Sequence, residues 1–158
     1  MKRSIALLAL ATVLATAGSA GAQQSGFGLG VIIGEPTGLS GKVWQSRSTA
    51  LDFGAAWSFV NESAFHLHFD ILVHRFDVIR VDSGKLPLYY GVGARVKFAE
   101  DNDGDQDTNV GIRFPVGLDY LFAREPLDLF VELVPILDVA PKTDVSLIAS
   151  VGFRYWFR

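Results

Sequence analysis

Between Val145 and Phe157 every second residue is apolar: Val145, Leu147, Ala149, Val151, Phe153, Tyr155 and Phe157. Between them stand Ser146, Ile148, Ser150, Gly152, Arg154 and Trp156, so one face is greasy and the other mostly polar. A sustained period of two predicts a β-strand. The same alternation recurs along the chain and predicts eight strands, near Gly26–Gly34, Leu39–Gln45, Thr49–Val60, Ala64–Val73, Leu86–Phe98, Asn109–Phe122, Leu127–Val139 and Val145–Phe157. Short turn-forming links separate them, such as Glu35-Pro36-Thr37-Gly38, Asn61-Glu62-Ser63 and Ala140–Asp144. Even spacing and short hairpin links favour an antiparallel up-and-down barrel over a sandwich.

Two places depart from the pattern. Phe76–Val81 breaks phase and reads as an extension of the fourth strand past a bulge near His74, with Asp82-Ser83-Gly84-Lys85 as the turn. Pro115 and Pro135 fall inside the sixth and seventh strands, where each removes a backbone donor; bulges or nearer strand ends are expected there.

Alternation alone leaves open which face is outside, and the polar face decides. It carries glycines at 28, 30, 54, 91, 93, 111, 117 and 152. Strand glycines suit a wet sheet surface poorly, because they cost backbone entropy and pack nothing. The inside of a narrow eight-stranded barrel has room for only a few large side chains and accommodates them. The rest of that face is charged and balanced in sign: Lys42, Asp52, Asp70, Arg95, Lys97, Arg113, Asp119, Asp128, Glu132 and Arg154. Enclosed charges must be paired, and five of each sign can be. The opposite face, with residues such as Leu29, Phe53, Leu67, Phe69, Val116 and Val131, holds almost no charge, as contact with lipid demands. Aromatic residues gather near the strand ends, where membrane interfaces place them. The expectation is therefore an all-β, eight-stranded antiparallel transmembrane barrel. A soluble periplasmic barrel of lipocalin type, with its apolar face turned inward around an apolar ligand, is the alternative.

Composition sets the compartment. Lys2 and Arg3 precede an apolar run from Ile5 to about Ala17, and Ala20-Gly21-Ala22 offers a cleavage site. Residues 1–22 read as a secretory signal peptide, leaving residues 23–158 as one barrel domain. No later segment reaches the roughly 18 apolar residues of a spanning helix. With no cysteine in the sequence, neither a lipid-modified cysteine nor a disulfide is available. Acidic residues number 17 against 14 basic ones, with an excess gathered at Glu100–Asp107, and nothing in the pattern points to nucleic acid.

Several segments carry a resemblance. Gly34-Glu35-Pro36-Thr37-Gly38-Leu39-Ser40, Phe65-His66-Leu67-His68, Pro87–Gly93, Gly111–Leu118 and the closing Gly152-Phe153-Arg154-Tyr155-Trp156-Phe157 resemble a group of small uncharacterised outer-membrane β-barrel proteins. The architecture is similar to the OmpA and OmpX type of eight-stranded barrel. The resemblance implies residence in the bacterial outer membrane and insertion there by the barrel assembly machinery. It also implies that Phe153, Tyr155 and Phe157 act as the terminal assembly signal, although Arg158 follows the last aromatic.

Candidate chemistry is sparse, and no cofactor is expected. His66, His68 and Asp70 alternate on one predicted strand, about 6.5–7 Å apart, and could share a metal. Glu100, Asp101, Asp103, Asp105 and Asp107 form an acidic link that could contact divalent cations and lipopolysaccharide at the outer surface. An EF-hand is excluded, because Gln106 and Ile112 stand where that loop needs Gly and a carboxylate. A lipid-modifying outer-membrane enzyme would need a nucleophile beside a base, and no serine is set beside a histidine on the right face. The expected role is a monomeric, non-enzymatic envelope protein in contact with outer-membrane lipid, with a filled lumen and no wide pore.

Overall fold

A computed structural model of the chain describes residues 25–59, 63–100 and 106–157. Residues 1–22, read from sequence as a signal peptide, the link residues Asp101, Asp103 and Asp105, and Arg158 lie outside the described residues. Nine strands follow one another: β1 (Phe27–Gly34), β2 (Thr37–Trp44), β3 (Thr49–Ser58), β4 (Ala64–Arg75), β5 (Leu88–Glu100), β6 (Gln106–Arg113), β7 (Val116–Leu121), β8 (Leu127–Ala140) and β9 (Asp144–Phe157). Every pairing is antiparallel, and β1 pairs with β9 to close the ring. Because β6 and β7 share one position between β5 and β8, the wall is eight strands thick in circumference.

Cross-strand partners define the stagger. One circuit from Trp156 runs through Gly28, Lys42, Asp52, Asp70, Gly93, Arg113 and Ile136. It returns to β9 at Ser146, ten residues before its start. Ten residues are about 33 Å along the strands, against about 38 Å across eight of them. The strands therefore tilt by about 40°, and the backbone wall stands about 8 Å from the axis. That interior has space for side chains and little else.

The two prolines act without a bulge. Gly93 faces Arg113 and Tyr90 faces Val116, so the register runs unbroken past Pro115. The Gly91 N–H donates to the Pro115 carbonyl and the Phe114 N–H to the Pro135 carbonyl, each at 2.9 Å. In both pairs the reciprocal bond would have to come from a proline nitrogen, so the ladder loses one rung on each side of Phe114-Pro115. Those losses divide the sixth strand into β6 and β7. The register shift lies elsewhere, between Val110 and Gly111, where Val139 of β8 is the extra residue.

The expected extension of the fourth strand is also corrected. His74 faces Tyr89 and Arg75 faces Leu88 in regular register, after which residues 76–84 leave the sheet. Phe76 folds back onto a buried cluster of Trp44, Ala50, Leu121 and Trp156. Hydrogen bonds in both directions between Lys85 and Leu121, at 2.9 and 2.8 Å, return the chain to the wall. The turn passes through Gly84 at φ +72°, a left-handed conformation that glycine adopts without a Cβ clash. The excursion thus lays an apolar stopper over the end of the barrel that holds Phe27 and Phe157.

Candidate functional site

Alternation along each tilted strand sends even-numbered residues of β1–β4, β8 and β9, and odd-numbered residues of β5–β7, into the lumen. The polarity is inverted relative to a soluble protein. Lys42, Asp119 and Asp128 are fully buried, whereas Phe69, Val116, Val131, Leu133 and Phe153 are about half exposed. A lipocalin-like barrel needs the reverse orientation, and the apolar-core alternative therefore falls.

Ion pairs span the lumen. Lys42 on β2 reaches Asp119 on β7, on the far side of the ring, at 2.5 Å. The Arg154 guanidinium donates to Asp52 at 2.7 Å and lies 3.4 Å from Asp128. The Arg113 Nε donates to both carboxylate oxygens of Asp70, at 3.0 and 3.1 Å, and its Nη2 stands 3.9 Å from Glu132. Arg95 closes on Asp138 at 2.6 Å. Neutral donors complete the set: Tyr89 Oη to Glu132 at 2.9 Å, Ser150 Oγ to Glu132 at 3.2 Å, and Trp156 Nε1 to Asp128 at 3.0 Å. Arg154 also stacks over the Phe130 ring, 4.0 Å from its centroid. Each buried charge thus meets an opposite charge or a directed donor, which is what a low-dielectric interior requires.

Asp138 and Tyr89 were not among the residues singled out from sequence. Asp138 could have been found, because it keeps the even phase of Asp128 and Glu132 on the same strand. Lys97 also faces the lumen, half-buried, opposite His66. His66 is buried with neither ring nitrogen hydrogen-bonded among the described residues, and it stands apart from the potential ligand group. That group comprises Asp52, His68 and Asp70 instead, one ligand atom from each lying within 4.8 Å of the others. Glu100 ends β5 and Asp107 stands in β6 opposite Ala99; the three acidic residues between them that were singled out are not described.

Outside, aromatic residues form two bands. Trp57, Phe65 and Phe98 adjoin one another at one end, with ring centroids 5.1 and 6.4 Å apart. Phe27, Tyr155 and Phe157 do so at the other, at 6.3 and 4.9 Å. Along β5, eight residues at about 3.3 Å, tilted by about 40°, separate Tyr90 from Phe98 by about 20 Å along the axis. Phe153 is exposed to the outside, as Leu29 and Val31 beside it are exposed or half-buried.

No protein-family model and no curated protein matches the chain in sequence. The fold does match solved structures. The N-terminal β-barrel domain of Pseudomonas aeruginosa OprF superposes with a TM-score of 0.69 at 12% identity, covering 85% of this chain and 98% of that one. Neisserial surface protein A (NspA) gives a TM-score of 0.53 at 15% identity, covering 84% and 98%. At such identities the fold is what is shared, and this chain is an all-β, eight-stranded antiparallel barrel of the OmpA/OmpX architecture.

Proposed function

We propose that the chain is an integral protein of the bacterial outer membrane, a structural or envelope-maintenance barrel with a side-chain-filled lumen and no wide pore. One observation carries this reading: the paired charges are sealed inside while a nearly uncharged apolar wall faces out. In water such a surface aggregates; in lipid it is the stable arrangement, with the aromatic bands at the two interfaces. Likeness in fold to the β-barrel domain of OprF and to a neisserial surface protein supports it. Among the described residues Ser58 donates to Glu35 and Ser150 to Glu132, so these hydroxyls meet carboxylates rather than a histidine base. A non-enzymatic role fits that arrangement.

Expressed with its N-terminal segment, the protein should fractionate with the outer membrane and shift in mobility when the gel sample is boiled. Recovery as a soluble periplasmic protein would overturn the reading. Planar bilayers containing the refolded barrel should show no stable open-channel steps, because Lys42–Asp119 and its neighbours bridge the lumen.

The two ends differ in charge. Links at the end that carries Phe27 and Phe157 include Arg47, Arg80, Lys85 and Arg124, against Asp77, Asp82 and Glu125. Links at the other end, with the strand ends that border them, hold Glu35, Glu62, the 100–107 acids and Asp144, against Lys142 alone. We assign the acidic end to the cell surface, where its carboxylates share divalent cations with lipopolysaccharide phosphates. Calorimetry with Ca²⁺ should show weak uptake, on the order of millimolar, that disappears when Asp101, Asp103, Asp105 and Asp107 become Asn. The aromatic run Phe153, Tyr155 and Phe157 is the assembly signal in this reading, and the inserted protein is a monomer.

A further inference from the structure

We infer that Asp52, His68 and Asp70 form a binding site for one divalent transition-metal ion inside the lumen. Three independent features of the wall converge on it.

The first is charge. Asp52, Asp70, Asp119, Asp128 and Glu132 form a buried network whose cations are Lys42, Arg113 and Arg154. Five carboxylates face three fixed cations, with His68 beside Asp52 and His74 beside Asp119 as their further partners. Arg95, across the strand from His68, does not correct this, because its guanidinium is held by Asp138. Lys97 is placed one row further on, opposite His66. With both imidazoles neutral, as ligation requires of His68, a single divalent ion brings the network to neutrality.

The second is register. Asp52 of β3 and Asp70 of β4 are direct cross-strand partners, an arrangement in which like charges repel. A cation between them converts that repulsion into ligation. Asp52 keeps one oxygen for Arg154 and turns the other to His68 Nε2, 3.7 Å away. Ligand atoms around tetrahedral zinc stand about 3.3 Å apart, given metal–ligand bonds of about 2.0–2.1 Å. The three ligand atoms stand within 4.8 Å of one another, and ligation asks one Asp70 oxygen to turn from Arg113 to the ion.

The third is room. A Cβ at Gly54 would run into the His68 ring, and a Cβ at Gly93 into the Asp70 carboxylate. These two glycines clear the space in which both ligands lie. One imidazole and two carboxylates make a mixed N/O donor set that suits Zn²⁺ and its first-row neighbours, with a position left for water.

Refolded protein in detergent, stripped with chelator and titrated with Zn²⁺, should take up one equivalent. Co²⁺ in its place should develop visible absorption bands from nitrogen and oxygen ligation. His68→Ala should weaken uptake at least tenfold; Gly54→Ala, which keeps every ligand but displaces the ring, should weaken it as well. His66→Ala should bind like the parent protein. Boiling-dependent mobility on gels establishes that each variant is folded before it is titrated. Absence of stoichiometric uptake by the folded parent would overturn the assignment and leave protons to balance the two charges. Uptake that survives in folded His68→Ala would overturn it too.

Discussion

At the residue scale the lumen trades stability for definition. Removing one partner of a buried ion pair leaves a desolvated charge and costs roughly 3–5 kcal/mol, whereas replacing both by apolar groups can be neutral. Lys42 and Asp119 are the strongest case, fully buried and 2.5 Å apart across the lumen. Asp119→Leu alone should lower unfolding stability by about 3 kcal/mol or more. The double variant Lys42→Met/Asp119→Leu should regain most of the loss, as read by urea unfolding in lipid vesicles. Asp138 makes a second test: Asp138→Ala strands Arg95 and should be worse than Arg95→Met/Asp138→Ala. Lys42, Asp119 and Arg95 are legible in the sequence as one face of alternating strands, yet their partners are not. Spacing along one strand groups His66 with His68 and Asp70; the tilt and stagger of the wall bring in Asp52 from the neighbouring strand instead. Contacts across the ring depend on a register that no single strand encodes.

At the element scale the outward faces follow the period of two except at the Val139 register shift. Pro115 and Pro135 keep phase because each removes only one hydrogen bond while leaving extended backbone intact. A bulge at either proline would have flipped every later side chain to the wrong face; the outward run Ile112, Phe114, Val116 and the inward run Gly111, Arg113, Gly117 show no such flip. Residues 76–81 read as strand in the sequence because Phe76 supplies an apolar signal, whereas it serves as a stopper on Trp44 and Trp156. Depth on the outer wall should be measurable. An arginine at Val131, near the middle of β8, should cost about 2–4 kcal/mol, and one at Val145, at the rim of β9, about 0–1 kcal/mol. Equal penalties at the two positions, measured by reversible unfolding in vesicles, would contradict a membrane-spanning wall.

At the scale of the whole molecule, eight strands and a ten-residue stagger fix a radius of about 8 Å, and the size of the interior then limits what it can hold. Strand number was readable from the sequence; stagger was not, because it is a sum of eight local registers. The same closure has a kinetic side. Phe27 pairs with Phe157, so the first strand of the ring waits for the last. Every other neighbouring pair is joined by a hairpin or short excursion, whereas this one closes a loop of about 130 residues. By the logarithmic dependence of closure entropy on length, that step costs about 2 kcal/mol more than closing a ten-residue hairpin. A circular permutant that links Phe157 to Phe27 through a short peptide and opens the chain between Gln45 and Ser48 keeps every strand pairing. Its late, slow step moves to the β2–β3 boundary, so β1 should acquire protection from hydrogen exchange early in refolding, while the finished barrel unfolds as before.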